Sequence, residues 1–96
     1  MSDISLTTEF LQASINIKNL SYLPDNDTLL LLYSYYKQAT IGDCNILSPN
    51  FWELKEMAKY NSWKLLTGFS KDYAMKFYIK KVNELLLHHC TFKTPI

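Results

Sequence analysis

A run of tyrosines with one lysine occupies residues 33–43, near the middle of the chain. A helix through this run carries on one side Tyr33, Tyr36, Lys37 and Thr40, because residues three and four apart are neighbours on a helix surface. Two phenols and an ammonium group then lie beside a leucine stripe. Such a surface suits a molecule that is half apolar and half anionic. The alternative is that the tyrosines are buried in a core and Lys37 extends outward along its stem.

Further lysines and tyrosines belong to other predicted helices, at Lys18, Lys55, Lys59 and Tyr78. If the helices bring these side chains together, they form a bowl with ammonium and phenol groups at its rim and apolar walls below. Lys55 and Lys59 are four apart, so their like charges repel modestly unless an anion lies between them. The alternative for this pair is two solvated surface lysines. The pattern favours a ligand with phosphates at one end and hydrocarbon at the other.

Composition favours one small helical domain, which we expect to span residues 1–96. Of the residues, 48% are apolar and 20% are charged, and the chain has only two glycines and three prolines. The net charge of +1 makes nucleic acid an unlikely partner, since binding several phosphates normally takes a visibly basic face. All ten positive residues are lysines, so any phosphate site here uses compact ammonium groups instead of the forked guanidinium of arginine.

Apolar periodicity predicts an all-α fold, a bundle of four helices. The first is expected over roughly Thr7 to Leu20, with Thr7 or Ser5 as its N-cap. The second runs from about Asn26 to Ile41, with Asp25 before it and Gly42 ending it in the left-handed conformation. The third begins at Pro49, capped by Ser48, or at about Phe51, and extends to Thr67. Ser70 and Asp72 begin the fourth, which reaches about His89.

Enzyme chemistry is not indicated, because the sequence lacks a phosphate-loop glycine pattern, a nucleophile elbow and a zinc-protease motif. His88 and His89 are adjacent and point about 100° apart on a helix, so we expect neither a metal site nor a cofactor. Cys44 and Cys90 are interpreted as free thiols of a reducing compartment. The longest apolar run is far shorter than the ~20 residues that cross a bilayer, so we expect a soluble, cytoplasmic protein and a monomer.

At the level of whole motifs, Tyr-Ser-Tyr-Tyr-Lys-Gln-Ala-Thr-Ile-Gly-Asp at residues 33–43 closely resembles the signature of acyl-CoA-binding proteins. The resemblance covers about Phe10 to Leu87. It includes, outside the signature, Phe10, Lys18, Leu20, Pro24, Pro49, Lys55, Ala58, Lys59, Trp63, Leu66, Gly68, Ser70, Ala74, Met75, Lys76, Tyr78, Ile79, Lys81 and Val82.

The resemblance implies a bundle of up-down-down-up topology that binds acyl-CoA esters reversibly. It implies that Tyr33, Lys37 and Lys59 hold the 3′-phosphate of the CoA ribose. Tyr36 and Lys18 would contact the nucleotide, and Leu29 and Leu30 the acyl chain. The complete set of candidate ligand-binding residues is Lys18, Leu29, Leu30, Tyr33, Ser34, Tyr35, Tyr36, Lys37, Lys55, Lys59, Tyr60 and Tyr78.

Four positions depart from the family pattern. Tyr60 stands where the family usually has tryptophan, Ser14 replaces a small apolar residue, and Leu23 and Met57 replace residues that are frequently lysine. The expected function is reversible, non-catalytic binding and intracellular transport or buffering of medium- to long-chain acyl-CoA, with delivery to acyl-CoA-using enzymes and no integral membrane association. The alternative is a helical module that binds a partner protein through its tyrosine-rich face.

Overall fold

Four α-helices account for most of the chain. The computed structural model describes the backbone of residues 2–93 and the side chains of residues 5–87. The helices are α1 (Ser2–Asn16), α2 (Asn26–Thr40), α3 (Leu54–Lys64) and α4 (Lys71–Lys93), and a 3-10 turn, Ile17–Asn19, follows α1. The predicted all-α class and up-down-down-up topology are confirmed. No helix among the described residues has the length and apolar character that crossing a bilayer requires.

The bounds of α2 agree with the sequence prediction to within one residue. Asp25 is its N-cap, and a side-chain oxygen of Asp25 accepts a hydrogen bond of 2.9 Å from the backbone N–H of Thr28. This bond satisfies one of the free N–H groups at the start of the helix. Hydrogen bonding from the Thr28 side chain, followed by this backbone bond, lowers the pKa of Asp25. Gly42 follows the helix with a φ of +99°, as predicted for a residue that ends a helix in the left-handed region.

The prediction for α3 was wrong at both ends, since the helix begins later and ends earlier than expected. Neither Pro49 nor Phe51 is helical. The backbone N–H of Glu53 donates to the Asn50 carbonyl, and the Asn50 amide donates to the Glu53 carboxylate at 2.8 Å. These bonds close a turn before the first helical residue. After Lys64 the chain continues in tight turns to Gly68, whose φ is +94°.

The outer ends of α1 and α4 also extend beyond their predicted positions. Helix α1 already begins at Ser2, so Ser5 and Thr7 lie inside it and do not cap it. Helix α4 continues past His89 to Lys93, because no proline or glycine interrupts the sequence before Pro95. Ser70 caps α4 as expected, since its hydroxyl accepts a bond of 3.0 Å from the backbone N–H of Tyr73. The side chains of His88, His89 and Cys90 lie outside the described residues.

The core forms where α4 packs against both α1 and α2, while α3 packs against α2. Alanines at several contact points let the helix backbones approach closely, and larger side chains fill the space between them. Each fully buried large apolar side chain stabilises the fold by about 1.5–3 kcal/mol. The buried core residues are Phe10, Ala13, Leu32, Tyr35, Ala39, Leu66, Ala74, Tyr78 and Val82.

Hydrogen bonds around Asp43 fix α3 and the start of α4 to the end of α2. A side-chain oxygen of Asp43 accepts one bond from the Gln38 amide and one from the backbone N–H of Gly68, each 2.9 Å long. The Gly68 bond, followed by the Gln38 bond, lowers the pKa of Asp43. The indole N–H of the buried Trp63 donates to the Gly42 carbonyl at 2.8 Å. This network sets how α3 lies along α2 and therefore which of their side chains meet.

Candidate functional site

Two adjoining grooves lie beside α2. The α2–α3 groove has a volume of about 410 Å³ and is lined by Asn26, Leu29, Leu30, Tyr33, Leu54, Lys55, Ala58 and Lys59. The α1–α2–α4 groove has a volume of about 370 Å³ and is lined by Ser14, Ile17, Lys18, Leu29, Leu32, Tyr33, Tyr36 and Tyr78. Because Leu29 and Tyr33 belong to both linings, the two grooves form one continuous surface.

Two ammonium groups converge on the Tyr33 ring, where the grooves meet. Lys37 Nζ lies 5.9 Å from the ring centre and Lys59 Nζ lies 5.6 Å from it. Lys37 Nζ also lies 5.5 Å from the ring centre of Trp63. Contacts of this kind attract a cation to the ring face, so Lys37 is held against two aromatic rings instead of extending into solvent. The residue types and their separations create a positively charged site beside an apolar groove.

The protonated side chain of Tyr33 can act as a hydrogen-bond donor. Burial raises the pKa of Tyr33, and electrostatic interactions with the Glu56 carboxylate and, to a smaller extent, Cys44 raise it further. The phenol therefore keeps its proton at neutral pH and can donate it to an anion. Lys59 also lies 3.7 Å from a carboxylate oxygen of Glu56, an exposed pair in which the lysine retains hydrogen-bonding capacity for a ligand.

An aromatic cluster supports the α1–α2–α4 groove from below. Phe10 stacks on Tyr36 with ring centres 5.4 Å apart and meets Tyr78 edge-on at 5.1 Å. Tyr36 and Tyr78 are 5.8 Å apart. Burial, and then the neighbouring Tyr36, raises the pKa of Tyr78. Phe10 thus connects α1 to the two tyrosines of the groove, and the exposed Lys18 lies at its edge.

Most of the candidate ligand-binding residues line these grooves, namely Lys18, Leu29, Leu30, Tyr33, Tyr36, Lys55, Lys59 and Tyr78. Lys37 is not among the lining residues, but its Nζ atom lies over the ring of Tyr33, which lines both grooves. Ser34 and Tyr35 are not brought to either groove. Ser34 is buried and its hydroxyl donates to the Leu31 carbonyl, while Tyr35 stacks on Phe77 at 4.0 Å. Adjacent helical residues point about 100° apart, so these two face another side of α2 than Tyr33 and Tyr36.

Tyr60 also lies outside the two linings, and its ring faces Lys64 Nζ at 5.6 Å. Of the other departures from the family pattern, Ser14 lines the α1–α2–α4 groove and Leu23 is exposed. Met57 accepts a hydrogen bond of 3.7 Å from the Ser48 hydroxyl. Leu23 and Met57 are not among the residues that line the two grooves.

Sequence reasoning missed several groove residues, chiefly Asn26, Leu54 and Ala58 in the α2–α3 groove. A signal for two of them was present. Leu54 and Ala58 are four apart and therefore share one face of α3, next to the face that carries Lys55 and Lys59. Together they supply the apolar wall beside the charges. The combined surface can hold hydrocarbon in the α2–α3 groove and an anion near Tyr33.

Comparisons with known proteins agree with this geometry. The sequence model of the family described as "Acyl CoA binding protein" matches residues 7–82. An acyl-CoA-binding protein of Brassica napus is 41% identical over 83 residues, which are 86% of this chain and 90% of the relative. One of Gossypium hirsutum is 40% identical over 82 residues, 85% of this chain and 92% of the relative.

Solved structures give the same result. Acyl-CoA-Binding Protein 2 of Oryza sativa has a crystal structure that superposes with a TM-score of 0.87 at 38% identity, covering 91% of this chain and 95% of that one. The crystal structure of the Moniliophthora perniciosa protein superposes with a TM-score of 0.81 at 33% identity, covering 86% and 82%. Sequence, fold and groove therefore agree that this chain belongs to the acyl-CoA-binding protein family.

Proposed function

We propose that this protein binds medium- to long-chain acyl-CoA esters reversibly and carries or buffers them without chemical change. The observation that carries the proposal is the convergence of Lys37 and Lys59 on Tyr33 beside an apolar groove. The two ammonium groups and the phenol offer charge-assisted hydrogen bonds to the 3′-phosphate of the CoA ribose. Family membership supports the same ligand.

The acyl chain, in this proposal, lies in the α2–α3 groove against Leu29, Leu30 and Ala58. Each CH₂ group removed from water contributes about 0.8 kcal/mol, so the chain supplies most of the affinity. The nucleotide and pantetheine portions lie toward Lys18, Tyr36 and Tyr78 in the adjoining groove. The site is therefore expected to bind most tightly a ligand that has both a phosphorylated head and a hydrocarbon tail.

We propose binding without chemical change because the groups that converge on Tyr33 are ammonium ions, which attract an anion, and the nearby Glu56 carboxylate is paired with Lys59. The free thiol of Cys44 is typical of a reducing compartment, and we propose that the protein acts in the cytoplasm as a monomer. Enzymes that use or produce acyl-CoA are the partners to which a carrier would deliver its ligand.

Isothermal titration calorimetry with a long-chain acyl-CoA, free CoA and the free fatty acid tests the proposal. The ester is expected to bind much more tightly than either fragment, since neither fragment occupies both parts of the site. A fatty acid that binds as tightly as its CoA ester would show that the lysines near Tyr33 do not hold the head group. Failure of all three ligands to bind would favour the interaction-module alternative.

A further inference from the structure

The connection between α2 and α3 exposes an unusual amount of apolar surface. We name as the apolar patch Ile46, Leu47, Phe51, Trp52 and Leu54, which are 48%, 93%, 79%, 65% and 76% exposed. Single exposed apolar residues are ordinary, but five within nine consecutive positions form a contiguous stretch of the kind that marks an interaction site. The rings of Phe51 and Trp52 contact each other edge-on at 5.1 Å, so each ring packs against another exposed ring.

Local hydrogen bonds fix the backbone that presents the apolar patch. Asn50 and Glu53 bond to one another through both backbone and side chains, which closes the turn carrying Phe51 and Trp52. The Ser48 hydroxyl reaches Met57 on α3 at 3.7 Å. The exposed apolar side chains therefore project from an organised turn.

Charge distribution indicates what kind of surface the apolar patch fits. Residues 44–52 contain no charged side chain. The first charge after this run, Glu53, is bonded to Asn50, and the exposed Lys55 follows directly after Leu54. The run is bounded by Asp43 and Glu53. An uncharged segment with tryptophan and phenylalanine has the composition that favours the interface between lipid headgroups and acyl chains.

The apolar patch is continuous with the α2–α3 groove, because Leu54 belongs to both. An acyl chain that leaves a bilayer at the apolar patch would reach the groove along Leu54. Protruding side chains such as Leu47 and Phe51 also suit a bilayer, which deforms around them, better than a rigid protein surface, which would need matching pockets.

We propose that the apolar patch docks on the surface of a phospholipid bilayer and inserts its side chains into the interfacial layer. Burial of apolar side chains drives this docking, so its strength depends weakly on salt. The docking goes beyond ligand binding in solution, because it requires neither acyl-CoA nor an occupied groove.

The test mixes ligand-free protein with phosphatidylcholine vesicles and follows flotation and tryptophan emission. Trp52 is largely exposed whereas Trp63 is buried, so a shift of emission to shorter wavelength on adding vesicles reports on Trp52. The double variant Leu47→Ser, Phe51→Ser keeps this reporter and is expected to partition about tenfold or more weakly. Leu65→Ser is the matched control, since Leu65 directly follows α3, is 81% exposed and lies outside the apolar patch. This variant is expected to bind vesicles like the wild type.

Wild-type protein that stays with the aqueous fraction and shows no emission shift would overturn the proposal. Equal vesicle binding by the wild type and the double variant would overturn it as well. So would concentration-dependent dimerisation, without vesicle binding, that the double variant abolishes, because the apolar patch would then contact a second copy. Calorimetry with acyl-CoA in the absence of vesicles keeps the two proposals separate: the double variant is expected to bind acyl-CoA normally, since neither substituted residue lines a groove.

Discussion

Lys59 on α3 places its Nζ atom 5.6 Å from the centre of the Tyr33 ring on α2. This contact joins two helices at the point where the two grooves meet. Lys37 lies over the same ring at 5.9 Å, so the aromatic face attracts two like charges that repel each other. An anion bound near Tyr33 would be attracted by both.

Removing the Tyr33 hydroxyl separates the role of the hydroxyl as a hydrogen-bond donor from the role of the ring as a contact for the two lysines. Tyr33→Phe keeps the ring under both lysines and removes the donor, whose raised pKa keeps it protonated. A hydrogen bond to a charged group is worth roughly 1.5–3 kcal/mol, so we expect acyl-CoA affinity to fall by about tenfold or more. Titration calorimetry measures the change, and Tyr73→Phe, at an exposed position on α4, is the control. Unchanged affinity in Tyr33→Phe would mean that the hydroxyl does not contact the ligand.

Filling the α2–α3 groove is expected to remove the dependence of affinity on chain length. Ala58 lines this groove, and Ala58→Phe would occupy space proposed for the acyl chain. The binding free energy of the wild type should strengthen by about 0.8 kcal/mol for each buried CH₂. The affinity of the variant should change much less as the acyl chain is lengthened. Asn61→Phe, at an exposed position on the same helix, controls for the substitution itself. A chain-length series as steep in Ala58→Phe as in the wild type would place the acyl chain elsewhere.

Phe10 is expected to stabilise the fold through the tyrosines of the α1–α2–α4 groove. Phe10→Leu loses the ring contacts with Tyr36 and Tyr78, and the free energy of unfolding should fall by about 1–3 kcal/mol. Urea denaturation measures this change. Leu11→Ala alters a neighbouring residue that is about half exposed and should stay within about 0.5 kcal/mol of the wild type. Equal losses in the two variants would contradict a specific role of the aromatic cluster.

Asp43 makes stability depend on pH. Its folded-state pKa is lowered by the Gly68 and Gln38 hydrogen bonds, so its stabilisation is present above the unfolded value of ~3.9. That stabilisation is lost as the pH falls through the folded value. Asp43→Asn should therefore melt at a lower temperature than the wild type at neutral pH. This difference in melting temperature should become smaller in acid. Thermal melts by circular dichroism across this range measure it, with Asn45→Ala as a loop control. A difference in melting temperature that is the same at every pH would show that ionisation of the Asp43 carboxylate does not cause the pH dependence of stability.

Local signals predicted α2 well and α3 poorly. The capping carboxylate of Asp25 and the positive φ of Gly42 act within one turn of the helix ends, so both could be read from the sequence. Pro49 also resembled a helix start. The bonds between Asn50 and Glu53 instead close a separate turn, and α3 begins after it. Two local arrangements compete there, and the periodicity of apolar residues does not decide between them.

The family resemblance predicted which residues come together in the candidate site. It did not predict which residues of the signature are turned away from the grooves, because this depends on how the helices pack. Tyr33, Lys37 and Lys59 come together as that resemblance implied. Ser34 and Tyr35 entered the candidate set because they are adjacent in the signature, yet helix geometry turns them toward other contacts. The bond between Asp43 and Gly68 spans 25 residues, and no local pattern indicates such a partner.

The most direct measurement of the central claim combines a protein variant with a ligand variant. Wild type and Lys37→Ala are titrated with a long-chain acyl-CoA and with the same acyl-dephospho-CoA, which lacks the 3′-phosphate. Alanine favours the helix, so a native circular dichroism spectrum is expected. Lys64→Ala is the control, because Lys64 also lies over an aromatic ring, that of Tyr60, away from the grooves.

Lys37→Ala is expected to weaken binding of the acyl-CoA by about one to two decades and to change binding of the dephospho ligand far less. Equal losses for the two ligands would contradict this expectation, because Lys37 would then not contact the 3′-phosphate.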